Sequence, residues 1–118
     1  MTEIEHADLL ILMATLSMAL AGLPLWMAMV PRNRFYGLRI RATRGDDTLW
    51  LRANAYGGRQ LCLAGVGLTT LHLLMLPLVP EGLRLVLIGV AMVVTLAAVI
   101  VRSVAYAERL AADPSIRG

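Results

Sequence analysis

Apolar and polar positions alternate along this chain in long blocks rather than in short periods. Leu9 to Val30 is a run of 22 residues without a charge. Leu61 to Val79 follows with 19 residues and a single ionisable side chain, His72. A third run is uncharged from Leu85 to Val101 and is flanked by Arg84 and Arg102. A helix needs roughly 20 apolar residues to cross about 30 Å of hydrocarbon, so each run predicts a membrane-spanning helix. The third relies on Arg84 and Arg102 snorkelling toward the interfaces. The pattern predicts an all-α membrane protein with one three-helix transmembrane domain over residues 1–118. The spans are 9–30, 61–79 and 84–106, and a cytoplasmic loop covers 31–60.

Pro80-Glu81-Gly82 reads as a tight hairpin between the second and third spans. Pro24 lies inside the first span and predicts a kink, because proline removes a backbone hydrogen bond. Ala19-Leu20-Ala21 mimics a signal-peptide cleavage site. The leader before it carries Glu3, Glu5 and Asp8 where a signal peptide has basic residues, so the first run is expected to stay as a span.

Composition agrees with lipid as the solvent. Hydrophobic residues make up 58% of the 118, against about 45–50% for a globular domain. All eleven basic residues are arginine, and seven of them fall between Pro31 and Arg59. The tail from Arg102 adds three, the second hairpin one, and the N-terminal segment none. The positive-inside rule then puts the loop and C-terminus in the cytoplasm of a bacterial inner membrane, with the N-terminus outside. The single cysteine, Cys62, has no intrachain disulfide partner.

Each span carries a stripe of small or weakly polar residues. The stripes are Ala14, Ser17, Ala21, Pro24 and Ala28; Gly58, Cys62, Gly65, Thr69 and His72; and Ala91, Thr95, Ala98, Arg102 and Ala105. At 100° per residue each stays on one helix face, and small residues let membrane helices approach closely. They therefore predict packing faces, either within one bundle or between copies in a homo-oligomer. His72, with Thr69 one turn earlier, is the candidate intramembrane polar site. It is either a structural hydrogen-bonding group or a contact for transport or a ligand. No carboxylate occupies the middle of a span, so no proton-relay partner is evident for it.

The loop has an order beyond its charge. Pro31 stops the first helix, and Asn33 and Gly37 favour turns. Asp46 or Asp47 can cap a short interfacial helix starting near Thr48 and ending around Gly57-Gly58. Trp50 and Tyr56 suit the headgroup level, and the arginines suit anionic lipids.

The series Asn33, Tyr36-Gly37, Arg39, Thr43, Asp46, Trp50, Asn54, Gly57-Gly58 resembles the C-terminal three-span module of the SdpI family of bacterial membrane proteins. Ile40 departs from it, standing where the family usually has threonine. Members with further N-terminal spans exist, so this chain looks like a stand-alone form of the module. The resemblance implies an inner-membrane protein whose family includes immunity to a secreted, membrane-active peptide toxin and signalling by holding a regulatory protein at the membrane. It makes Asn33, Tyr36, Gly37, Arg39, Thr43, Asp46, Trp50, Asn54 and Gly58 candidates for structuring the loop or contacting a partner.

No catalytic grouping, metal-ligand spacing or phosphate-binding glycine loop stands out. The chain is expected to be non-enzymatic, without cofactor or metal and without a nucleic-acid partner. The competing readings are a small oligomeric transporter or channel lined by His72, Thr69 and Thr95, and an accessory subunit of a larger membrane complex.

Overall fold

The computed structural model describes residues 6–30 and 47–113, and all three elements in it are helices: α1 (His6–Trp26), α2 (Asp47–Met75) and α3 (Glu81–Ala112). The candidate positions Asn33, Tyr36, Gly37, Arg39, Thr43 and Asp46 lie outside the described residues. So does most of the arginine-rich segment, with the exception of Arg52 and Arg59. Helices α1 and α3 are each long and apolar enough to cross a membrane. Their large apolar side chains point outward, with Leu16, Leu20 and Leu23 on α1 and Val86, Val90 and Val93 on α3 exposed. A water-soluble helix shows the reverse. Two exposed hydroxyls serve their own helix: Ser17 of α1 donates to Met13 O at 2.7 Å and Thr70 of α2 to Val66 O at 2.9 Å. Back-bonding of this kind satisfies a hydroxyl that has no water to meet.

Helix α2 lies between the other two and packs along both. Its small-residue stripe meets α1 as the sequence implied. A Cβ on Gly58 would fall 2.5 Å from Gly22 O and Leu25 Cβ, and one on Gly65 would fall 2.6 Å from Thr15 O. The two backbones are therefore nearly in contact, which only glycine permits.

The other two stripes are corrected. On α1, Ala14, Ser17 and Ala28 are exposed, and the buried line is Asp8, Leu12, Thr15, Gly22 and Leu25. On α3, Ala98, Arg102 and Ala105 are exposed, and the buried side chains are Arg84, Ile88, Ser103 and Ala107. A shift of one position turns a helix by 100°. Small residues border both sides of each true face, so size alone did not fix the rotation.

The short helix expected to end at Gly57-Gly58 is also corrected. Helix α2 runs unbroken through both glycines. Their helix-propensity cost of about 1 kcal/mol each is offset by close packing. Gly58 meets α1, and a Cβ on Gly57 would lie 3.2 Å from Ser103 Oγ of α3. Trp50 and Asn54 therefore belong to the first turns of a long helix.

The ends of the helices have clear causes. Helix α1 stops two residues past Pro24. Ala28 takes a left-handed φ of 55°, while Met29 N donates to Pro24 O and Ala28 N to Leu25 O, both at 3.0 Å. That is a Schellman ending built on alanine instead of the usual glycine. Pro24 thus serves the termination of α1. Helix α3 begins at Glu81, after Pro80 in extended conformation (φ −64°, ψ 153°), so the link to α2 is 76–80 and not Pro80-Glu81-Gly82.

Candidate functional site

The alternating directions of the helices bring the start of α1, the end of α2 and the start of α3 to one end of the bundle. Asp8, His72 and Arg84 meet there. Asp8 and His72 are both fully buried, and Arg84 is only 7% exposed. Arg84 donates to both oxygens of Asp8, from Nε to Oδ1 at 2.8 Å and from Nη2 to Oδ2 at 2.6 Å. This is the bidentate fork that guanidinium and carboxylate geometry favours. Arg84 Nη1 also donates to Val79 O at 2.7 Å, across the link between α2 and α3.

His72 Nε2 stands 2.7 Å from Asp8 Oδ1. A carboxylate gripped by an arginine offers only acceptors, so the network assigns the proton to Nε2. Nδ1 is then left buried with no hydrogen-bond partner. Beneath the cluster, Thr69 donates to Thr15 Oγ1 at 2.7 Å, and Thr15 donates on to Leu12 O at 3.1 Å. Apolar side chains pack on both sides of this level: Leu68, Met75 and Ile88 form a buried core, with Ile11, Met18 and Met92 packed against them.

Two readings of the sequence change here. His72 does have a carboxylate partner, Asp8, which belongs to the acidic stretch ahead of the first apolar run. Arg84 does not snorkel outward but folds into the bundle. The signal that could have found both was topology. With three helices of alternating direction, residues near 8, 72 and 84 must share an end. A buried charge there requires an opposite one.

At the other end of the bundle the structure places Trp50, Asn54 and Gly58 along one buried face of α2. Trp50 is 1% exposed, and its Nε1 donates to Val30 O at 3.1 Å. Asn54 Nδ2 donates to Trp50 O at 3.0 Å. Trp50 therefore fixes the point at which the chain leaves α1 for residues 31–46, and Asn54 braces the turn that carries Trp50. Tyr56 stacks on Tyr106 of α3, ring centroids 4.2 Å apart and 11° from parallel.

Residues 29–103 match the SdpI/YfhL protein family. No curated protein matches the chain, and neither does any solved structure. The match covers well over half of the sequence and begins just before Val30, whose carbonyl Trp50 holds. The chain belongs to the SdpI/YfhL family.

Proposed function

We propose that this SdpI/YfhL-family membrane protein spans the bacterial inner membrane three times and is not an enzyme. In this reading it binds a peptide or protein partner at its cytoplasmic end, conferring immunity or carrying a signal. The observation that carries the reading is the Trp50 bond to Val30 O. It fastens the root of the arginine-rich segment to a helix that is itself locked against α1 by Gly58 and Gly65. A segment with a fixed root can present Asn33, Arg39 and Asp46 as a recognition surface. The arginine distribution supports a cytoplasmic position for that surface. Helix α2 serves as the third span, held between two apolar helices, with Gly58, Gly65, Thr69 and His72 turned away from lipid.

The test is a deletion strain challenged with membrane-active peptides, then complemented by the wild type, by Trp50→Ala and by Arg39→Ala. Protection should disappear on deletion and return only with the wild type. Unchanged sensitivity after deletion would remove the protective role. A photocrosslinker at position 39 that captured no partner in cells would remove the binding role as well.

One observation favours a second reading, a small oligomeric transporter. His72 Nδ1 is buried and unpartnered beside a carboxylate, and intramembrane imidazole–carboxylate pairs occur in proton relays. Against it, Arg84 pins Asp8 through both oxygens, which suits a fixed anion better than a proton carrier. Reconstituted vesicles in which His72→Ala and Thr69→Ala left every tested flux unchanged would dispose of this reading.

A further inference from the structure

Helices α2 and α3 carry the same short pattern at the same end of the bundle. On α2 it is Arg52-Ala53-Asn54-Ala55-Tyr56-Gly57-Gly58-Arg59, and on α3 it is Arg102-Ser103-Val104-Ala105-Tyr106-Ala107-Glu108-Arg109. Each is an arginine, a tyrosine four residues on, and a second arginine three residues after that. On a helix these three positions share a face. The helices run antiparallel, and the tyrosines stack on each other at 4.2 Å. The contact of Gly57 with Ser103 fixes the same register. Arg52 is therefore level with Arg109, and Arg59 with Arg102. The two tiers lie about 10 Å apart along the axis, one on each side of the tyrosine pair.

All four arginines are exposed, and both tyrosines are half-buried. Arg109 Nε makes only a long bond of 3.4 Å to Ala105 O of its own helix. The ion pairs of Asp8 with His72 and Arg84 lie at the far end of the bundle. Glu108 is the carboxylate within the pattern itself, and Asp47 and Asp113 stand at the adjoining helix ends. Four exposed arginines thus flank the stacked tyrosine pair in sequence and register, with a surplus of positive charge. Next along α3, toward the bundle centre, come the exposed apolar side chains Ile100 and Val101.

We propose that this face is a binding site for the phosphate groups of anionic phospholipids, seated on the Tyr56–Tyr106 pair and held by Arg52, Arg59, Arg102 and Arg109. Guanidinium forks match phosphate oxygens in pairs. Tyrosines at the headgroup level give the acyl chains an apolar wall and the headgroup a hydroxyl edge. A basic pocket between membrane helices is the setting in which lipid headgroups are selected over bulk charge. The site differs from a diffuse attraction to the segment 31–46, because its four charges are spaced by two helices in fixed register.

The test is native mass spectrometry of the full-length protein in mild detergent, titrated separately with diphosphatidylglycerol, phosphatidylglycerol and phosphatidylcholine. The variants are R59Q/R102Q, R52Q/R109Q and a control of equal charge change, R34Q/R41Q, each checked by circular dichroism. Lysine variants at 59 and 102 separate charge from fork geometry and retain a folded, charged surface. Retention of the anionic lipids should fall about tenfold or more in either tyrosine-face variant, and by less than about twofold in the control. The lysine variant should fall between. An equal loss in the control, or no loss in the face variants, would overturn the site. Displacement of the lipid by inorganic phosphate at matched concentration would overturn its assignment to lipid. Equal retention of phosphatidylcholine would do the same for its charge selectivity.

Discussion

Arg84 and Asp8, 76 residues apart in sequence, hold each other through two hydrogen bonds of 2.8 and 2.6 Å at a place where both are almost wholly buried. With His72 on the same carboxylate, one side chain of α1 ties down α2 and α3 together. Contacts between α1 and α3 are few elsewhere, so this junction closes the end of the bundle.

The role of His72 in the junction is separable from that of Arg84. His72→Phe keeps the ring volume and removes the donor to Asp8, which retains its arginine. Removal of one donor from a charged acceptor costs about 1.5–3 kcal/mol, less than loss of the guanidinium. Thermal unfolding in detergent should rank the variants wild type, His72→Phe, Arg84→Gln in falling stability. An equal loss for the two variants would make the imidazole a full structural partner.

The glycines of α2 should divide by position. Gly65→Ala puts a methyl group onto the backbone of α1 at Thr15 and Ala19, whereas a methyl on Gly67 meets nothing within 4 Å. Overpacking of this kind costs about 1–3 kcal/mol, while Gly67→Ala gains up to about 1 kcal/mol of helix propensity. Unfolding in detergent checks both signs. A neutral Gly65→Ala would mean that the two helices can separate freely.

Ala28 adopts its left-handed φ of 55° at the close of α1. A non-glycine residue in that region carries about 1–2 kcal/mol of strain. Ala28→Gly should relieve part of it and raise stability by roughly 0.5–1 kcal/mol, with glycine's greater freedom in the unfolded chain taking back the rest. A decrease in stability would show that the Schellman ending is not formed in the membrane.

Trp50→Phe tests the tie at the other end. It preserves an aromatic core side chain and deletes the donor to Val30 O. The expected loss is about 1 kcal/mol or somewhat more, and it should be accompanied by weaker peptide protection if the tie serves partner binding. A variant as stable and protective as wild type would detach Trp50 from the proposed function.

The three helices were legible because their apolar runs are long, and lipid admits few other solutions. The stripe of Gly58, Cys62, Gly65, Thr69 and His72 was legible because small and polar residues recur on it at alternating steps of four and three without a break. On α1 and α3 small residues occur on several faces, so Thr15 and Ser103 were missed in favour of neighbours one position away. Asp8 was hidden by its place near the chain start, where a charge looks like a flank. Its burial follows from a partner 64 residues away, and no local pattern contains that. The continuity of α2 through Gly57-Gly58 was hidden because glycine pairs usually end helices. Their packing against Gly22 and Ser103 reverses that local preference.

The central claim, that one buried carboxylate locks the three helices together, is tested most directly by a double-mutant cycle on Asp8→Asn and Arg84→Gln, read by unfolding free energy in a lipid environment. Each single variant should lose about 3–5 kcal/mol, because it strands a buried charge. The double variant should lose clearly less than the sum of the two, with a coupling of about 2 kcal/mol or more. Additive losses would contradict the account, since they would mean that the two side chains act on stability independently.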